Sequence, residues 1–176
     1  MSLSTPILDR PPLRLVPFGL AHLTKDYIGW LNDPEVMRFS EQRHRQHTKS
    51  SSRAYVDGVA AKSDELWAIE ILAADNRHIG NVSVNYDRNN GLADIGILIG
   101  ATSCQGKGYG LVAWSVVLEY LKADQTLRKI TGGCLVSNIA MVRIMQRSGM
   151  IADGCRPSHY LQENCPVDVV YFAHIK

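Results

Sequence analysis

No stretch of this 176-residue sequence stays apolar for long. The longest runs, such as Ile95 to Ala101, fall far short of the ~18 residues that a membrane-spanning helix needs. The N-terminus lacks a basic segment followed by an apolar one, so nothing reads as a secretory signal. A soluble, cytoplasmic chain with no membrane partner is expected. Paired cysteines are missing too: Cys104, Cys134, Cys155 and Cys165 are scattered, with no C-x-x-C spacing. That scatter argues against a disulfide framework and against a cysteine metal site, and it leaves four reduced thiols. A surplus of either charge is also absent, since 19 Lys and Arg face 17 Asp and Glu for a net +2. This balance is too mild for a general nucleic-acid or membrane surface, so any basic site must be local. What is present is ordinary globular usage, 45% hydrophobic and 20% charged, which excludes disorder and fibrous structure and leaves one packed core. The expectation is a single domain over residues 1–176, with 1–12 a poorly ordered leader.

Periodicity organises the rest. Leu13 to Pro17 suits a short strand, and Leu20 to Asn32 carries apolar residues at helical spacing up to the Asp33-Pro34 stop. Thr48 is a fair N-cap for a helix through Tyr55, Val56 and Val59. Leu66 to Ala73 and Ile79 to Tyr86 then alternate with period two around an Asp75-Asn76 turn, and Asn89-Asn90-Gly91 turns the chain into a strand over Ala93 to Ile99. Beyond it lie a glycine-rich loop, a helix over Leu111 to Leu121, a strand over Lys129 to Val136 and a helix from Asn138 to Arg147. Two closing strands follow near Met150 to Arg156 and Val167 to Ile175. The predicted fold is α/β: a mixed, mainly antiparallel sheet of about seven strands with about four helices. Its one parallel pair is joined by a right-handed crossover through the 93–136 segment.

The loop inside that crossover carries the chemistry. Gln105-Gly106-Lys107-Gly108-Tyr109-Gly110 stands between a strand and a helix. Glycines there let main-chain N–H groups converge without Cβ obstruction, and the helix dipole adds positive potential, as a pyrophosphate cradle requires. The spacing is neither G-x-G-x-x-G nor G-x-x-x-x-G-K-[ST], which argues against dinucleotide hydride transfer and ATP hydrolysis. A turn that merely fits the chain between strand and helix would show the same glycines.

Gln105-x-x-Gly108-x-Gly110, after the strand Ile95 to Gly100 and opening a helix, resembles the acetyl-CoA signature of the GNAT superfamily of N-acetyltransferases. Asn138 at the next helix start and Arg147-Ser148-Gly149-Met150 after it extend the resemblance to roughly residues 13 to 175. The resemblance implies a GNAT-like fold and acetyl-CoA as cosubstrate. It implies pantetheine on the main chain of Leu98, Ile99 and Gly100, and pyrophosphate on N–H groups of Gln105, Gly106, Lys107, Gly108, Tyr109 and Gly110. Asn138 would contact the pantetheine or the cofactor sulfur region, and no metal is needed. The reaction implied is attack of a neutral amine on the thioester, with Asp94 as the carboxylate that takes the proton directly or through water. A solvent-facing residue at a strand start would look the same. Where many relatives carry a Tyr or Ser to protonate the leaving thiolate, this sequence has Met145 and Met141, which cannot donate. Tyr109, Tyr160 and Tyr171 are the substitutes on offer.

Arg38, Arg43, Arg45, Lys49 and Arg53 crowd one segment, with His44 and His47 among them and only Glu41 against them. The choice is between a solvated face and a phosphate-binding wall, in which Arg43 and Arg45 would hold the acceptor. The Trp30 to Val36 and Ser40 to His44 stretches resemble a subgroup acting on nucleotide sugars or surface polysaccharides. The expected partner is therefore a small anionic amine, such as a nucleotide-linked amino sugar. A ribosomal-protein-like N-terminal acetyltransferase and a decayed acyl-CoA sensor are the alternatives. Nucleic-acid binding ranks last and no nucleic-acid partner is expected, because Arg43 to Arg53 carries no interleaved aromatic stacking platform. A homodimer is compatible with the layout.

Overall fold

Alternation of apolar and polar residues builds one sheet, and the computed structural model describes it through residues 5–73 and 75–176. The strands are β1 (Leu8–Arg10), β2 (Leu13–Pro17), β3 (Glu65–Ile71), β4 (Arg77–Asp87), β5 (Leu92–Ile99), β6 (Lys129–Leu135), β7 (Ile151–Gln162) and β8 (Cys165–Ile175). Their spatial order is β1-β2-β3-β4-β5-β6-β8-β7, and only β5 and β6 run parallel. The eight strands agree with the expected sheet of about seven; the additional one is β1, in the segment expected to be a poorly ordered leader, which the Pro11-Pro12 turn folds back on β2 in register Leu8↔Leu15.

The helices are α1 (Lys25–Asn32), α2 (Pro34–Met37), α3 (Lys49–Ala61), α4 (Tyr109–Ala123) and α5 (Ile139–Arg147). The first begins later than its apolar spacing suggests. Leu20–His22 form a 3-10 turn, and Thr24 accepts the Tyr27 N–H and so caps α1. Thr48 caps α3 as expected, accepting from Ser51.

Side-chain alternation sends the two strand faces to different partners. Trp67, Ile69, Val82, Val84, Ala93 and Ile95 are buried with Trp114, Val117, Leu118 and Leu121 of α4. Leu66 and Ala68 point the other way, into a smaller core with Phe18, Leu23, Tyr27 and Val59. Each fully buried large apolar side chain contributes about 1.5–3 kcal/mol, so α4, with six buried residues, anchors the sheet centre.

The parallel pairing is short. It joins Leu92↔Lys129, Ala93↔Ile130 and Asp94↔Thr131 and then stops. Beyond Asp94 the two strands part, and β6 continues into Gly132, where the Trp114 ring lies 2.6 Å from the point a Cβ would occupy. The gap so opened lies in front of the α4 N-terminus.

Candidate functional site

Two surfaces meet at the second half of β5. One is the edge that β6 leaves unpaired. Gly100 donates its N–H to Ile79 O at 2.9 Å, which turns Gly100 toward β4. By the two-residue period of an antiparallel ladder, Leu98 turns the same way while Ile97 and Ile99 direct their main-chain groups into the gap. Of the three positions expected to hold an amide arm, only Ile99 presents its backbone there; Ile97 is the second, and the sequence reading missed it. Gly100 has a packing role, since an added Cβ would stand 2.2 Å from the Trp30 ring.

The loop that follows forms a nest of free donors. Gln105 Nε2 donates to Ile99 O at 2.8 Å, tying the loop to the strand end. Gly106 and Gly108 have φ of 72° and 85°, left-handed values that favour glycine, and an added Cβ at either would meet nothing within 4 Å. Gly108 is the N-cap of α4 and supplies no side-chain acceptor, so the first-turn N–H groups at Tyr109 and Gly110 are orphans. Among the described residues, no acceptor engages the N–H groups from Gly106 to Gly110. Lys107 is exposed beside them. Open space, five N–H groups without acceptors and the positive end of a 15-residue helix suit a dianionic linker, and the Ile97–Ile99 edge suits an amide-bearing arm.

Across the gap, Asn138 caps α5 by accepting the Met141 N–H at 3.2 Å. Met145 is fully buried against Trp114 and Gly132, and Met141 packs half-buried beside that core, so both serve packing. Tyr109 is half-buried in the same cluster, Tyr171 lies under Arg156, and Tyr160 is exposed on the edge strand β7.

The second surface is a cavity of about 360 Å³ between α1–α3 and the opposite face of β4 and β5. Its floor includes Asn81, Ser83, Gly96 and Leu98, and its roof Ser52, Tyr55, Arg45 and His47. Burial pushes the Tyr27 hydroxyl up to about 12, and desolvation of its hydroxyl end raises Tyr55 although its side chain is half-exposed; like any tyrosine of ordinary or raised pKa, both are neutral at pH 7. No carboxylate is among the lining residues. Asp94 shares the face of Gly96 and Leu98 but stands one side-chain repeat before the cavity, accepting the Thr131 hydroxyl at 2.6 Å. Surrounding protein raises its carboxyl from the ordinary value, and the Thr131 hydrogen bond offsets part of that.

The basic segment divides. Arg43 is engaged by the fold: it donates to Ser40 O at 2.9 Å, Glu41 Oε1 at 2.7 Å and Leu161 O at 2.7 Å, so three of its five N–H donors clamp the segment to Glu41 and β7. Arg38 pairs with Glu35 and Arg53 with Asp57. Arg45 lines the cavity with no ion-pair partner among the described residues. The cavity floor also had a sequence signal, because Asn81, Ser83 and Asn85 put small polar side chains on one face of a strand that a polar helix, Ser51-Ser52…Tyr55, covers.

The family model for the acetyltransferase (GNAT) domain matches residues 13–151. The chain belongs to the GNAT acetyltransferase family. Solved GNAT structures superpose over nearly its whole length. A ribosomal L7/L12 alpha-N-protein acetyltransferase, RimL, in complex with coenzyme A has a TM-score of 0.83 at 18% identity, covering 97% of this chain and 98% of that one. Spermidine N-acetyltransferase from Vibrio cholerae, in complex with CoA and spermine, gives 0.81 at 19% identity, covering 94% and 96%. The microcin C7 self-immunity acetyltransferase MccE, in complex with acetyl-CoA and AMP, gives 0.80 at 16% identity, covering 95% and 94%. At these identities the likeness speaks for the GNAT fold, and among the described residues no helix is long and apolar enough to cross a membrane.

Proposed function

We propose that this GNAT protein transfers an acetyl group from acetyl-CoA to the primary amine of a small anionic acceptor, such as an amino sugar carried on a nucleotide. The observation that carries the reading is the pairing of a free N–H nest at Gly106–Gly110 with a carboxylate-free cavity whose unpaired cation is Arg45. Acetyl-CoA supplies an activated thioester. Gly106 to Gly110 would hold the pyrophosphate, the Ile97–Ile99 edge the pantetheine amides, and a β5 N–H would stabilise negative charge developing on the thioester oxygen. Asn138 holds the α5 start beside that edge. An anionic acceptor finds a counter-charge at Arg45, whereas a polycation finds none. That a protein of this fold is solved with AMP beside acetyl-CoA supports a nucleotide-bearing acceptor.

Reversing Arg45 to Glu is expected to raise KM for phosphorylated amines about tenfold or more, with the loss shrinking as salt rises and acetyl-CoA affinity unchanged. Acceptor kinetics indifferent to the change, or turnover confined to peptides, would replace this reading with N-terminal acetylation of proteins.

Asp94 is the proton acceptor in this scheme, reached through water from the cavity. An amine of pKa ~10.4 is neutral only about once in 2500 at pH 7, a cost of about 4–5 kcal/mol, whereas one near 7.8 loses only about 1. Asp94→Asn is therefore expected to slow high-pKa amines more than low-pKa ones. Because the working form is the carboxylate and its pKa is raised, the acid limb of the rate profile should lie above the ordinary carboxylate range and disappear in the variant. Equal slowing across an amine series would remove Asp94 from the reaction.

A further inference from the structure

We infer that Ser83 positions the water that carries the acceptor's proton to Asp94, and that Gly96 keeps the space this needs; this rests on the Asp94 reading above and names its route. Strand register supplies the geometry. On the cavity face of β4 and β5 the cross-strand pairs run Asn81↔Leu98, Ser83↔Gly96 and Asn85↔Asp94. The first two pairs belong to the cavity floor, and the third lies just beyond it. Ser83 and Asp94 are therefore diagonal neighbours, with Cα atoms about 7–8 Å apart and Cβ atoms somewhat closer. That span is too long for a direct hydrogen bond and suits one bridging water.

The groups at both ends are within reach. Ser83 is half-buried and lines the cavity, and its Oγ leans over Gly96, 2.9 Å from where a Cβ would stand. A side chain at 96 would displace that hydroxyl. The same hydroxyl lies beside Tyr55 of the roof, whose ionised form it favours. At the far end Asp94 is exposed, with Thr131 donating to Oδ1, and among the described residues no side chain engages Oδ2. A serine hydroxyl donates one hydrogen bond and accepts two, so Ser83 can hold a water whichever way the water turns. In this step the acceptor's ammonium gives one proton to the water, and the water passes one of its own to the Asp94 carboxylate. The nitrogen lone pair is thereby freed to attack the thioester carbon.

The test measures acetyl transfer from acetyl-CoA to 3-aminopropyl phosphate and to its 2,2-difluoro analogue, whose amine is far less basic. Ser83→Ala is expected to lower kcat about tenfold for the basic amine, the value of one lost hydrogen bond, and less than about twofold for the fluorinated one. Acceptor KM and acetyl-CoA affinity should not move. Gly96→Ala should show the same selective loss, whereas Ser83→Thr, which keeps the hydroxyl, should restore most of the rate. In an Asp94→Asn background Ser83→Ala should cost nothing further, because the two residues serve one proton. A merely structural role would slow both amines alike and add fully to Asp94→Asn. Either of those results, or an Asp94-dependent rate indifferent to Ser83→Ala, overturns the inference and leaves the transferase reading intact. Absence of transfer to both amines, with acetyl-CoA bound, overturns that reading and this inference together.

Discussion

Replacing Gly108 with aspartate is expected to weaken CoA binding by about 100- to 1000-fold. Gly108 caps α4 at φ 85° with open space where a side chain would project, at the centre of the N–H nest. A carboxylate there would stand against the pyrophosphate. Two unit charges 4 Å apart repel by about 4 kcal/mol at an effective dielectric constant near 20, close to three powers of ten in affinity. Backbone strain acts separately, because a non-glycine residue in the left-handed region costs about 1–2 kcal/mol of stability. Gly108→Ala carries that strain without the charge and should bind CoA far better than the aspartate variant. Calorimetric titration of both variants reads the difference. Equal affinities would remove the charge argument, and wild-type affinity in a folded aspartate variant would remove the cradle itself.

Acid is expected to destabilise the fold through His78, well above the range where carboxylates titrate. The ring is packed among Phe18, His22, Tyr27 and Trp30, with centroids 5.1 to 5.9 Å away. Its Nε2 lies 2.8 Å from Gly80 O and is assigned as the donor, while Nδ1 is buried without a partner. Burial, with His22 close by, lowers its pKa to about 4 from an ordinary 6.5. Between those values the unfolded chain binds a proton that the folded one refuses, so stability falls as pH drops from about 6.5 toward 4. The full loss is about 3 kcal/mol, a large part of a typical 5–15. Asp94, whose pKa is raised, contributes with the opposite sign at the low end. Urea midpoints measured between pH 7 and 4.5 should drop steeply in wild type and much less in His78→Phe. Parallel pH profiles for the two proteins would contradict the assignment.

The two halves of the site differed in how far sequence could reach them. The proposed cofactor half is contiguous: an alternating strand, a glycine loop and an amphipathic helix lie within residues 92–123, and each leaves a local signal. Even there the sequence could not tell which β5 residues face the gap, because that phase depends on pairing with β4. The proposed acceptor half is assembled from α1–α3, β4 and β5, and although the helix and the strand are each locally polar, no local pattern shows that they enclose one cavity. Position alone could not show that Arg43 also ties its segment to β7, since its carbonyl partner, Leu161, is 118 residues away. The closing hairpin was underestimated for a different reason. Every side chain of β7 from Ile151 to Leu161 is exposed, and the register slips between Arg156 and Tyr160 around Ser158 at φ 50°, so no period-two burial pattern exists to be read.

The most direct test of the central claim is mass spectrometry of a reaction containing this protein, acetyl-CoA and phosphorylated amines. The account requires free CoA and an N-acetylated amine to appear in equal amounts, with catalytic turnover that depends on the protein. Tight binding of acetyl-CoA with the thioester left intact and every amine unmodified would contradict it and leave an acyl-CoA-binding protein without transferase activity.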